Sequence, residues 1–220
     1  TNAAANSKRD YSVAVGYQAG MLEADAQTAQ MAVADGSRDP SINIGKNAGF
    51  NTVSYGNVAV GDGAGANITD VRARGNTMIG NGAGAGITSN DGKNVTFPGF
   101  GSGGNTLIGG AAGRSLSGDS NVAVGSIAGD GAIGDNNIYV GHLAGQWSSN
   151  DRSIIMGPQS GMQSTNDRAV LIGNFANGNV TDPTRNVVAI GSSVQAKGKE
   201  SIAVGFNARA RGDNTLAIGR

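Results

Sequence analysis

The chain has 220 residues, 38 of them glycine, with 5% aromatic residues, no cysteine, and 16 basic side chains against 16 acidic ones. Zero formal net charge gives no footing for nucleic acid or an anionic membrane surface, and the missing cysteines exclude disulfides, thiolate metal sites and a cysteine nucleophile. So few large side chains cannot fill a thick globular core, collagen's every-third glycine is absent, and no apolar run approaches the ~20 residues of a membrane-spanning helix.

A four-residue motif recurs twelve times: an aliphatic or β-branched residue, any residue, an aliphatic residue, then glycine. The copies end at Gly16, Gly45, Gly61, Gly80, Gly109, Gly125, Gly141, Gly157, Gly173, Gly191, Gly205 and Gly219. Their spacings are 29, 16, 19, 29, 16, 16, 16, 16, 18, 14 and 14 residues. A recurrent period of this size predicts a solenoid, in which each repeat completes its core only against its neighbours. Twelve short rungs stacked in parallel at ~4.8 Å each give a rod of roughly 55–60 Å.

In chain order, the first copy is followed by a long excursion, residues 17–44. It contains Leu22–Gln30, which suits a short helical turn, and Met31–Ala34, a degenerate copy of the motif. The second excursion, residues 81–108, carries another degenerate copy, Val95–Pro98, at the same offset. Gly16–Gly61 and Gly80–Gly125 are each 45 residues apart, the mark of a duplicated block. Pro98 cannot donate to a ladder, so its strand is expected at an edge or broken early. Phe97 and Phe100 sit in this turn-rich loop. Aromatics on loops of an aromatic-poor chain are candidate ligand contacts; the plainer reading is that they plug the end of a rung.

Regular 16-residue repeats run from Gly109 onwards. Trp147, the only tryptophan, follows Gly145 and Gln146 just past a corner, which makes it a candidate for ligand binding or for a subunit contact. Residues 178–186, with Pro183, read as a loop that lengthens one repeat to 18. The last repeats shorten to 14 residues.

Within each copy, alternation predicts a strand. The residues three and one before each glycine, such as Val122 and Val124, are nearly all β-branched. That composition suits a stiff buried strand, so this face is expected in the core. The column between them contains Leu107, Tyr139, Ile155 and Leu171, and is then expected to point outward. An apolar outward stripe calls for a partner, so these four residues are the expected subunit interface, and aspartate at Leu107, Ile155 and Leu171 is expected to disrupt assembly. After the glycine, Ala and Gly at the third and fourth positions imply a tight corner. Asn57, Asn76, Asn105, Asn121, Asn137, Ser153 and Ser201 open their repeats with side chains able to bond neighbouring backbone, and in a stack they predict a polar ladder.

Catalytic chemistry is poorly represented. His142 is the only histidine, in a slot that holds Ser126, Asp62 and Lys46 elsewhere, and reads as surface variation. One histidine without cysteine cannot build a multi-histidine zinc site within the chain. The calcium-roll nonapeptide does not recur, and there is no Gly-Lys-Ser/Thr phosphate loop. No metal, cofactor or enzymatic activity is expected.

The segment from Ser201-Ile202-Ala203-Val204-Gly205 through Thr215-Leu216-Ala217-Ile218-Gly219 closely resembles the head repeat of trimeric autotransporter adhesins, the YadA-like head. The match is specific over 186–220. The 16-residue repeats of 1–185, with their two excursions, are similar to a variant of the same unit. The resemblance implies an all-β, left-handed parallel β-roll, three chains around one axis, and display on a Gram-negative outer surface. Arg220 directly follows a repeat glycine, so the stretch reads as part of something longer, and the resemblance implies a coiled-coil stalk and a C-terminal membrane anchor beyond it. It further implies binding of a host matrix protein or cell-surface receptor, without cofactor or nucleic acid. A trimeric phage tail fibre is the competing reading, and a polysaccharide-cleaving solenoid a third.

Overall fold

The computed structural model describes residues 13–21, 41–52, 56–68, 73–87, 103–177 and 184–219. These form an all-β parallel solenoid. The main sheet has twelve strands of three residues, from Val13–Val15 to Leu216–Ile218, in chain order. Every described neighbour pair is parallel and in motif-on-motif register; Ala123 faces Tyr139, and Tyr139 faces Ile155.

The register holds across both 29-residue gaps, since Ala14 pairs with Asn43 and Met78 with Leu107. The degenerate copies at Met31–Ala34 and Val95–Pro98 belong to these two gaps. They lie outside the described residues, as do Leu22–Gln30, Phe97 and Phe100.

The two faces of the sheet are the reverse of the sequence expectation. Leu107, Tyr139, Ile155 and Leu171 are fully buried within their own chain, with Ala59, Met78 and Ala123 of the same column. They are covered and offer no surface to a partner. The β-branched columns instead face outward: Ile138 and Ile154 are each 38% exposed.

The reason is the thinness of the rung. After the strand the chain turns at once, places Ala112, Ala128, Ala144 or Ala176 in the core, and returns through Leu116, Ala132 or Ser148. Only one residue per strand fits between strand and return. A large residue is admitted where the corner is glycine: a β-carbon at Gly129 would lie 3.1 Å from the Tyr139 ring, and one at Gly161 would lie 2.9 Å from Ile155. The outer Val and Ile stack on their counterparts in adjacent rungs, which shields about half of each.

The expected polar ladder is present, and it is buried. Asn57 Oδ1 accepts the Asn76 amide at 2.9 Å, Asn76 accepts Asn105 at 3.0 Å, Asn105 accepts Asn121 at 2.8 Å, and Asn121 accepts Asn137 at 2.9 Å. Asn137 accepts the Ser153 amide at 3.0 Å, and Ser153 Oγ accepts that of Ala169 at 3.1 Å. The Nδ2 groups of Asn105 and Asn121 donate across the core to the carbonyls of Gly118 and Gly134, at 3.0 and 2.9 Å. Each asparagine thus ties its rung to the next and its strand to its return. Asn121→Ala strips a partner from two buried backbone groups, the Asn137 amide and the Gly134 carbonyl. The expected loss is about 2–6 kcal/mol, at 1–3 per orphaned group, read as a lower thermal midpoint.

Tyr139 is the largest fully buried side chain among the described residues. Its hydroxyl lies near Ser148 and Asn150 but makes no hydrogen bond of good geometry, and Asn150 Nδ2 is likewise unpartnered. Burial, first of all, pushes the phenol pKa far above its ordinary value of 10.0, while Ser148 and Asn150 oppose the shift. A raised acid pKa in the folded state means stability that is complete below pH 10 and lost as pH rises beyond it. Tyr139→Phe removes that alkaline sensitivity and the unpaired hydroxyl. We expect a gain of up to about 1 kcal/mol at neutral pH, and a smaller fall in thermal midpoint between pH 9 and pH 11 than in the parent.

Candidate functional site

Two surfaces are candidates. The first is the outer face of the main sheet. Ile42, Ile44, Ile79, Ile108, Ile138, Ile154, Met156, Ile172, Ile190 and Ile202 lie on it, each 36–40% exposed, with half-buried valines between them. At one rung per ~4.8 Å, two such columns make an apolar strip the length of the rod. Monomeric soluble proteins rarely leave more than a few hundred Å² of continuous apolar surface open.

The second surface lies on the return segments, whose outward side faces away from that sheet. The residues five after Gly109, Gly125 and Gly141 are Arg114, Asp130 and Gln146. Arg114 grips Asp130 with Nε to Oδ1 and Nη2 to Oδ2, both at 3.1 Å. Gln146 Nε2 donates to Asp130 Oδ2 at 3.3 Å. The Asp130 side chain is 2% exposed and that of Arg114 53%. Hydrogen bonding to Asp130, and then its charge, raises the Arg114 pKa above its ordinary value. The guanidinium is thus a permanent cation held in one orientation.

Trp147 adjoins Gln146 just past the corner and is 59% exposed. It has left-handed backbone, φ 55°, in a slot occupied by Asn51, Asn67 and Gln163 in sister rungs. Its six-membered ring lies over Gly131 of the preceding rung, where a β-carbon would come within 2.6 Å of the ring. Glycine at 131 is therefore what allows the indole to lie flat. Sequence reasoning passed over Arg114, Asp130 and Gln146. The available signal was their recurrence at one offset in three successive repeats.

Further along the rod, Asp151, Arg152, Asp167, Arg168 and Arg185 line a shallow polar cleft. Its one ion pair, Arg185 to Asp167 at 3.7 Å, is exposed on both sides and contributes little stability. His142 is exposed at its turn. Among the described residues no group of three or more His, Cys, Asp or Glu is placed to hold a metal, and no helix is long and apolar enough to cross a membrane.

No curated protein and no solved structure matches the chain. A family model does match its C-terminal end. Repeats of that family belong to adhesive, structural heads rather than to enzymes. Residues 196–220 match the YadA head domain repeat in two copies, and this end of the solenoid is a YadA-like head.

Proposed function

We propose that the chain is the head of a trimeric autotransporter adhesin, a left-handed roll displayed at the bacterial outer surface, and that it binds a host matrix protein or cell-surface receptor. The apolar outer face of the sheet is the observation that carries this reading. Three copies of one flat strip, each turned toward a common axis, remove it from water together. The surfaces left open are then the corners and returns, where Trp147 and the arginines sit. Phe97 and Phe100 remain proposed contacts on the second excursion. Binding through such surfaces needs no cofactor or catalytic group.

The test is solution mass by light scattering, followed by adhesion of the purified protein to wells coated with matrix proteins and to cultured epithelial cells. A trimer that adheres to either supports the reading. A stable monomer overturns the assembly. A trimer that ignores host surfaces and binds bacterial envelopes instead moves the chain to the tail-fibre reading.

A further inference from the structure

We infer that Trp147, Arg114 and Gln146 form a binding site for a neutral, pyranose-containing oligosaccharide. The inference rests on the adhesin reading and names a ligand class and residues for it.

Three observations converge on this patch. The first is the indole. One face of its six-membered ring is covered by Gly131, and the residue is still 59% exposed. A flat apolar platform, backed by protein, is presented to solvent. The left-handed slot does not call for tryptophan: asparagine fills it at Asn51 and Asn67 with φ of 51° and 58°. Asparagine tolerates this backbone, while a bulky residue there is uncommon.

The second observation is Asp130. A carboxylate with 2% side-chain exposure is costly to bury unless it is paired. Both of its oxygens are engaged, and their partners, Arg114 and Gln146, reach the surface from the flanking rungs. Arg114 uses Nε and Nη2 on Asp130; a guanidinium has five N–H donors. The remaining donors are held in place beside the platform. The third observation is Ile133, 48% exposed and two residues beyond Gly131, a second open apolar side chain on the same return segment.

A pyranose has the matching chemistry. Its C–H face packs on an aromatic face, whose π-cloud is electron-rich, and its rim of hydroxyls takes oriented donors and acceptors. The Arg114–Asp130 pair has no net charge. The patch therefore provides no surplus cation for a sulfate or phosphate group, and the preferred ligand is neutral. The patch lies on the return side, across the core from the apolar strip, so assembly through that strip leaves it open.

The probes are an array of vertebrate-type neutral and sialylated oligosaccharides, bacterial O-antigen oligosaccharides and a sulfated heparin fragment, applied to the full 220-residue protein. Because Trp147 is the only tryptophan, a bound probe is followed by intrinsic fluorescence, and variants by calorimetry. We expect a saturable fluorescence change with a neutral probe, a loss of binding of at least tenfold in Trp147→Asn, and a comparable loss in Arg114→Gln. Gly131→Ser, which lifts the ring, should weaken binding without changing solution mass. Trp147→Asn takes a residue already used in this slot, so the fold is retained.

Failure of every probe to bind the assembled wild type overturns the site, while continued adhesion to matrix proteins keeps the adhesin reading. Equal binding by Trp147→Asn, or preference for the heparin fragment, also overturns it. Binding confined to O-antigen supports the site and overturns the host-adhesin reading instead.

Discussion

Aspartate at Ile155 is expected to unfold the chain, whereas aspartate at its neighbour Ile154 is expected to leave the rungs intact and separate the subunits. Ile155 has no exposure and Ile154 has 38%. At 155 the new carboxylate has no partner and no route to water, and the lost packing adds to it. Together these give a loss of about 4–5 kcal/mol or more. At 154 the carboxylate reaches solvent in the single chain, where the local cost is limited to β-propensity, about 1 kcal/mol at most. In the proposed assembly the same carboxylate lies buried against two other copies.

Circular dichroism melts and light scattering separate the cases. Ile155→Asp should lose its cooperative transition at every protein concentration. Ile154→Asp should keep a transition, now of a lighter species, with a midpoint that falls on dilution until dissociation is complete. Identical, concentration-independent losses at both positions would sink the assignment of inner and outer faces. Leu107, Ile155 and Leu171 belong to the inner column, so aspartate there tests the fold and not the interface.

Gly109→Ala is expected to lower the thermal midpoint by about 10 °C, from a loss of roughly 3 kcal/mol in a chain of this length. The motif glycine sits at φ 133°, and a β-carbon would lie 2.5 Å from the carbonyl oxygen and 2.7 Å from the carbonyl carbon of Gly125 on the next rung. Backbone is the obstacle, so no side-chain rotation relieves it. Gly110 is the control. A β-carbon there meets nothing within 4 Å, and Gly110→Ala should be close to neutral. Equal midpoints for the two variants would remove close approach as the reason for the motif glycine.

Much of the fold was legible because the solenoid is nearly one-dimensional. A motif that recurs at near-constant spacing sets the strands, their parallel order and their register at once, and the asparagines that open each repeat declare a ladder. The two long gaps were legible as interruptions, and the sheet passes them with its register unbroken. The candidate site was less so. Trp147 stood out by rarity alone, but Arg114, Asp130 and Gln146 are 16 residues apart and meet only because the rungs stack. Nothing in the local sequence marks Asp130 as buried; it is covered by Arg114 and Gln146, which reach it from the flanking rungs.

The sequence by itself determined that this chain is a parallel stack of short strands joined by tight corners, since the glycine that ends every copy meets a backbone geometry, φ of 107–136°, that other residues rarely adopt. It left open which side of the strand is inside. Alternation defines two faces and is symmetric between them, and the bulkier, β-branched face looked like a core. The tertiary structure decided otherwise. The return segment follows so closely that one side chain per strand fills the interior, and the stiff Val and Ile columns are left outside as a continuous apolar face.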